Sequence, residues 1–146
     1  MKTKLIALLF IATTALLPAH EGIELGPNGG HILEFSKNET MHGEVTLKEG
    51  KFQIALLDKD MKPVAIDKQT LAATSGDRSS PQKLAVEVKG NQFVVPALPG
   101  EDYHLIFQFK PAPDAKAITA RLHYNAATCS GCNSPEWLCK CKEEKK

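Results

Sequence analysis

Apolar and polar residues alternate one for one through a series of short runs between residues 31 and 124. In the clearest run Tyr103, Leu105, Phe107 and Phe109 fall on one side, with His104 on the other. Side chains that point alternately to opposite faces of an extended chain turn such a pattern into one apolar face, and a helix does not. Ile118, Ala120, Leu122 and Tyr124 alternate in the same way with Thr119, Arg121 and His123. So do Phe52, Ile54 and Leu56 with Lys51, Gln53 and Ala55, and Val45 and Leu47 with Glu44, Thr46 and Lys48. His31, Leu33 and Phe35 share one face of an earlier strand. Leu84, Val86 and Val88 face one way, and Gly90-Asn91 turns the chain so that Phe93 to Val95 returns as a hairpin. No run after residue 19 carries a 3.6-residue period with helix caps.

Turn chemistry separates these runs. Gly26-Pro27, Asn28-Gly29, Glu49-Gly50, the polar segment Asp58 to Pro63, the loop 74–82 and Pro111 to Asp114 all break the pattern. Roughly seven or eight strands at intervals of about 8–12 residues predict an all-β fold, a single antiparallel β-sandwich of immunoglobulin-like type. The expected domain covers residues 20–124, and 146 residues suit one domain. Its core is expected to hold Leu33, Phe35, Val45, Leu47, Phe52, Ile54, Leu56, Leu84, Val86, Val88, Phe93, Leu105, Phe107, Phe109, Ile118, Leu122 and Tyr124. Residues 125–146 are too poor in apolar side chains for a core of their own and form an irregular, Cys-rich tail.

The start of the chain has the layout of a secretory signal peptide. Met1-Lys2-Thr3-Lys4 is basic, Leu5 to Leu17 is an uncharged run of 13 residues, and Pro18-Ala19 precedes polar sequence. That run is shorter than the roughly 20 residues a membrane-spanning helix needs. Residues 1–19 are therefore expected to be removed after Ala19, with cleavage after Ala15 as the alternative, leaving a periplasmic or secreted bacterial protein with no membrane anchor in the mature form. The 18 Lys+Arg balance 17 Asp+Glu, so no basic face is available for nucleic acid. The G-x-S-x-G, H-E-x-x-H and Gly-rich phosphate signatures are missing, and the expectation is a non-enzymatic protein.

All four cysteines lie in the tail, as Cys129-x₂-Cys132-x₆-Cys139-x-Cys141. Thiolates this close along the chain can surround one ion at small cost in chain entropy. Four sulfurs suit tetrahedral Zn²⁺, and soft thiolates also select Cu(I). Gly131 permits a tight first knuckle, and Lys140 and Lys142 favour thiolate formation. The expected cofactor is one ion, Zn or Cu(I), held by Cys129, Cys132, Cys139 and Cys141. In an exported protein two disulfides are the rival reading, and four cysteines allow three pairings. A redox role is the third, without a βαβ pattern around the C-x-x-C to support it. Trp137, the single tryptophan, either anchors the tail on the sandwich or recognises a partner.

Secondary metal candidates come from the histidines. His20 becomes nearly terminal after cleavage and offers its imidazole beside a free α-amino group. His31 lies on the Leu33–Phe35 face, and Met41 and His42 offer sulfur and nitrogen to copper. His104 and His123 sit on the polar faces of the two strongest strands, where a solvated surface is the default and pairing of those strands brings them close.

Two stretches carry a family resemblance. Residues 26–35, Gly-Pro-Asn-Gly-Gly-His-Ile-Leu-Glu-Phe, and residues 42–63, from His-Gly-Glu-Val-Thr-Leu to Asp-Lys-Asp-Met-Lys-Pro, resemble the small β-sandwich domain at the start of periplasmic adaptor subunits of heavy-metal efflux pumps. In that family a Gly stands where this chain has Met61. No coiled-coil hairpin or lipoyl-like region follows, so the chain looks like that domain standing alone with an added Cys-rich tail. The resemblance implies a bacterial, exported, metal-related setting, a metal-efflux component as partner, and no catalytic residues. The function expected from these readings together is a transition-metal-binding accessory protein: a chaperone, buffer or sensor linked to heavy-metal handling. The alternative is a disulfide-stapled structural or interaction module without metal.

Overall fold

The computed structural model describes residues 23–76 and 79–141. The expected signal peptide and His20 lie outside the described residues. Among the described residues ten strands follow in order: β1 (His31–Glu34), β2 (Met41–Lys48), β3 (Lys51–Asp58), β4 (Pro63–Val64), β5 (Thr70–Ser75), β6 (Gln82–Leu84), β7 (Glu87–Lys89), β8 (Gln92–Pro96), β9 (Asp102–Lys110) and β10 (Ile118–Asn125). One sheet runs β1-β2-β3-β8-β7 with β4 paired to β3, and the other runs β10-β9-β5-β6. Every pairing is antiparallel. The all-β, two-sheet architecture matches the alternation in the sequence. The strand count exceeds seven or eight because β4, β6 and β7 are pieces of only two or three residues.

The tight turns form where the sequence places them. Lys48 and Lys51 close a two-residue hairpin whose Glu49 and Gly50 have φ of 50° and 70°. Two successive positive φ values match the right-handed twist of the flanking strands. In one place the chain departs from its expected course. Leu84 to Val88 is not one strand: β6 pairs with β5 in one sheet, and β7 pairs with β8 in the other. The chain changes sheets at Ala85-Val86, as it does at the corners of sandwiches. Only the β7–β8 part of the expected hairpin forms. Val88 then lies on the edge strand and is 56% exposed instead of joining the core.

The core fills the space between the sheets. Leu33, Phe35, Val45, Phe52, Ile54, Leu56, Phe93, Leu105, Phe107, Phe109 and Leu122 are all buried there. Leu47, Leu84, Val86 and Tyr124 pack on it while partly exposed. Phe35 stacks on Phe109 across the gap, centroids 4.7 Å apart and planes within 7°. Gly43 makes room for that stack, since a Cβ there would stand 2.3 Å from the Phe35 ring.

Burial also reaches the outer face of the first sheet. Glu44, on the polar side of the β2 alternation, is 1% exposed. Its Oε1 accepts the backbone N–H groups of Asn28 (2.7 Å) and Gly30 (3.0 Å), and its Oε2 accepts from Asn28 Nδ2 (2.7 Å). A Cβ on Gly26 would meet the Glu44 carboxyl carbon at 2.5 Å, and one on Gly30 would meet the Val45 carbonyl oxygen at 2.5 Å. The Gly-Pro-Asn-Gly-Gly segment is thus a cap wrapped around a buried carboxylate, which explains its glycines physically.

Candidate metal centre

The tail is placed by its backbone and by one aromatic anchor. Past β10, Asn125 Oδ1 accepts the Ala127 N–H at 2.9 Å. Ala126 N donates to the Glu101 carbonyl at 2.7 Å. The chain then doubles back. Thr128 bridges Pro135, Cys129 N donates to Ser134 O at 2.8 Å, and Glu136 N donates to Ala127 O at 2.8 Å. Asn133, at φ 58°, takes the left-handed position at the tip, and its N–H reaches Cys129 O at 2.9 Å. Asn tolerates that conformation better than most residues.

A 3-10 turn, Glu136–Leu138, follows and drives Trp137 into the end of the core. The indole is 5% exposed and meets Phe52 edge-on at 6.1 Å and Tyr124 at 5.6 Å. The His31 ring fixes the same turn, with Nδ1 3.0 Å from the Trp137 carbonyl oxygen. Trp137 is therefore the anchor of the tail.

This path gathers the four cysteines. One sulfur from each of Cys129, Cys132, Cys139 and Cys141 lies within 4.8 Å of every other. Cys139 Sγ is 3.1 Å from Cys129 Sγ and 3.5 Å from Cys132 Sγ, and the Cys141 N–H points at Cys139 Sγ from 3.3 Å. Sulfurs bound to one tetrahedral Zn²⁺ at about 2.3 Å stand roughly 3.8 Å apart, against contacts of 3.1 and 3.5 Å here and a whole set within 4.8 Å. Four cysteines can therefore hold one metal ion here. Gly131 helps to close the set, because a Cβ would stand only 3.1 Å from Cys141 Sγ.

The four positions differ in exposure and acidity. Cys129 and Cys139 are buried, and Cys132 and Cys141 are exposed. The Ser134 backbone N–H and hydroxyl lower the Cys132 thiol to about 6, with help from the neighbouring thiols. Cys139 is pushed up to about 12, chiefly by its contact with Cys129. Cys141 is raised by its contact with Cys132. Thiolates gathered this close repel one another, so holding several of them together favours a cation.

The other metal candidates are not drawn into a cluster of this kind. His31 lies at the edge strand, its Nδ1 committed to the tail. His42 is buried, with Nδ1 3.2 Å from Glu34 Oε2 but out of line for a hydrogen bond. Met41 packs half-buried against the core. Adjacent residues of a strand point to opposite faces, so Met41 and His42 do not converge. A cleft of about 710 Å³ is bordered by Glu24, His31, Glu34, His42 and Met61. Among the described residues, only the four cysteines form a metal-binding group of three or more His, Cys, Asp or Glu donors.

One feature of the outer faces escapes the period-two reading, the burial of Glu44. The strands carrying His104 and His123 do pair, and their register sets the two histidines directly opposite each other. No protein-family model, curated protein or solved structure matches this chain.

Proposed function

We propose that this chain is an exported, non-enzymatic bacterial protein that binds one Zn²⁺ or Cu(I) ion through Cys129, Cys132, Cys139 and Cys141, as an accessory to heavy-metal handling. The convergence of four sulfurs within 4.8 Å carries the reading. The signal-like start supports export to the periplasm, and the resemblance of residues 26–35 and 42–63 supports a metal-efflux component as partner. No described helix is long and apolar enough to cross a membrane.

The pairing of buried with exposed cysteines favours a chaperone or buffer over a purely structural ion. Cys129 and Cys139 hold the ion from the protein side, while Cys132 and Cys141 face solvent, where a partner's thiols can displace them one at a time. The test is the thiol count and metal content of protein purified from its native compartment. About one ion with four free thiols supports this function. A Cys132→Ser/Cys139→Ser variant should lose tight metal binding and keep cooperative unfolding.

The disulfide-stapled module is the second reading. Its support is the 3.1 Å approach of Cys139 to Cys129 in a compartment where disulfides persist. Two disulfides and no metal in the native protein would establish it.

A further inference from the structure

The outer face of the second sheet carries a group that the thiolate centre does not use. His104 on β9 and His123 on β10 are register partners, and their rings stack with centroids 4.3 Å apart and planes within 5°. Asp102 lies two residues before His104 on the same face, diagonal to His123, and its Oδ1 is 2.7 Å from His123 Nε2. His123 is half exposed, and Asp102 is more so. We propose that His104 and His123 form a second, nitrogen-donor site for a borderline divalent transition-metal ion, of the class of Zn²⁺, Ni²⁺ or Cu²⁺. It is independent of the thiolate centre.

The argument begins with the proton. A carboxylate only accepts, so the 2.7 Å contact places a hydrogen on His123 Nε2. In the neutral ring Nδ1 then keeps its lone pair. Histidine ligands of metals are commonly held this way, with the far ring nitrogen donating to a carboxylate that fixes tautomer and orientation. Asp102 is thus a positioning residue and not a ligand. That arrangement is consistent with the three residues not forming a three-donor cluster.

Reach comes next. Two imidazole nitrogens on one tetrahedral zinc at 2.0–2.1 Å stand roughly 3.3 Å apart. The stacked rings aim their in-plane lone pairs side by side, so sharing one ion requires the exposed His104 ring to turn out of the 4.3 Å stack toward Nδ1 of His123, which Asp102 holds in place. Water fills the remaining positions. Imidazole with oxygen donors suits the borderline divalent ions, whereas the thiolate cluster suits softer ones. Arg121, two residues before His123 on β10, is a cation on the same face, as are Lys83 and Lys110 farther along the sheet. Arg121 is exposed, and its long stem can turn the charge to solvent.

The experiment is a titration of the full chain, already carrying one equivalent of zinc, with further Zn²⁺. Calorimetry is combined with NMR of the histidine ring nitrogens. A second, weaker event of one equivalent is expected, with ring shifts centred on His104 and His123. His104→Gln and His123→Gln should each weaken it at least tenfold. Asp102→Asn should weaken it by about 10- to 100-fold without abolishing it. A variant with all four cysteines changed to Ser should keep this event and lose the first, which separates failure of this site from failure of the thiolate reading. These positions lie on the surface, and unchanged thermal unfolding of the variants checks their folding. The proposal is overturned by the absence of a saturable second event up to millimolar zinc. It is equally overturned by a second event that survives the His104→Gln/His123→Gln double variant.

Discussion

The Nδ1 of His31 lies 3.0 Å from the carbonyl oxygen of Trp137, joining the first strand to a turn 106 residues away. This contact and the burial of the Trp137 ring tie the cysteine cluster to the sandwich. The tail therefore owes its position to packing at least as much as to an ion. Trp137→Ala should cost roughly 3–5 kcal/mol, the range for removing a large buried aromatic side chain. It should also weaken metal binding without removing a ligand. Chemical denaturation and zinc competition on the same variant check both. In the parent, chelation should leave the emission of Trp137 that of a buried indole.

The alternation in the sequence made the two-sheet fold legible, and most of the Phe, Leu and Ile residues it selects are buried. Other parts were not legible for identifiable reasons. Strand β5, Thr-Leu-Ala-Ala-Thr-Ser, has only Leu71 as a large apolar side chain, so its period is faint, yet Leu71, Ala73 and Ser75 are buried. Val88 continues a perfect alternation but belongs to an edge strand, and period alone says nothing about which strands the facing sheet covers. Glu44 reads as solvent-facing until residues 26–30 fold over it. The four cysteines were legible as a set because their spacing is local. The meeting of His104 with His123 depended on strand register, which a single sequence specifies only weakly.

The acidity of the cysteines sets an order of chemical reactivity. The thiolate is the nucleophile, and Cys132 is both exposed and lowered to about 6. In metal-free, reduced protein near pH 7, a limiting amount of iodoacetamide should label Cys132 first. Cys139, buried and pushed up to about 12, should react slowly. Peptide mass mapping after a short exposure reads this order directly. Faster labelling of Cys139 than of Cys132 contradicts the described geometry. Saturating zinc should protect both.

The same asymmetry fixes the pH dependence of metal binding. Cys132 is mostly thiolate at pH 7, while Cys139 and Cys141, both raised, must each shed a proton to become ligands. Binding therefore releases protons, and affinity falls as pH falls. The decline should steepen below about pH 6, where Cys132 also takes up a proton. Calorimetry in buffers of different ionisation enthalpy measures the proton release. Competition titrations from pH 7.5 to 5.5 give the slope, and a flat profile would rule out thiolate ligation.

Gly43 tests the core. Its Cα faces Leu33 across β1 and β2, and a Cβ would lie 2.3–3.0 Å from atoms of the Phe35 ring. That ring cannot retreat, because it is stacked on Phe109 at 4.7 Å. Gly43→Ala should therefore destabilise the domain by about 1–3 kcal/mol through overpacking, although alanine favours a strand over glycine. A shift of the urea midpoint with an unchanged slope is the expected signature.

Met61 tests the turn between β3 and β4. Asp58 Oδ1 accepts the N–H groups of Asp60 and Lys62 at 2.8 and 2.9 Å, and the Lys62 bond chiefly holds its pKa below the usual carboxylate value. This tight loop leaves Met61 at φ 58°, a left-handed conformation that costs a side-chain-bearing residue roughly 1–2 kcal/mol. Glycine adopts it freely but loses more chain entropy on folding, by roughly 0.5–1 kcal/mol. The difference predicts that Met61→Gly stabilises the domain by about 0.5–1 kcal/mol, or a few degrees in Tm. The methionine side chain is half buried and borders the cleft beside His42. A loss of stability in Met61→Gly would show that its contacts there outweigh the backbone strain, and calorimetric unfolding of the two proteins decides the sign.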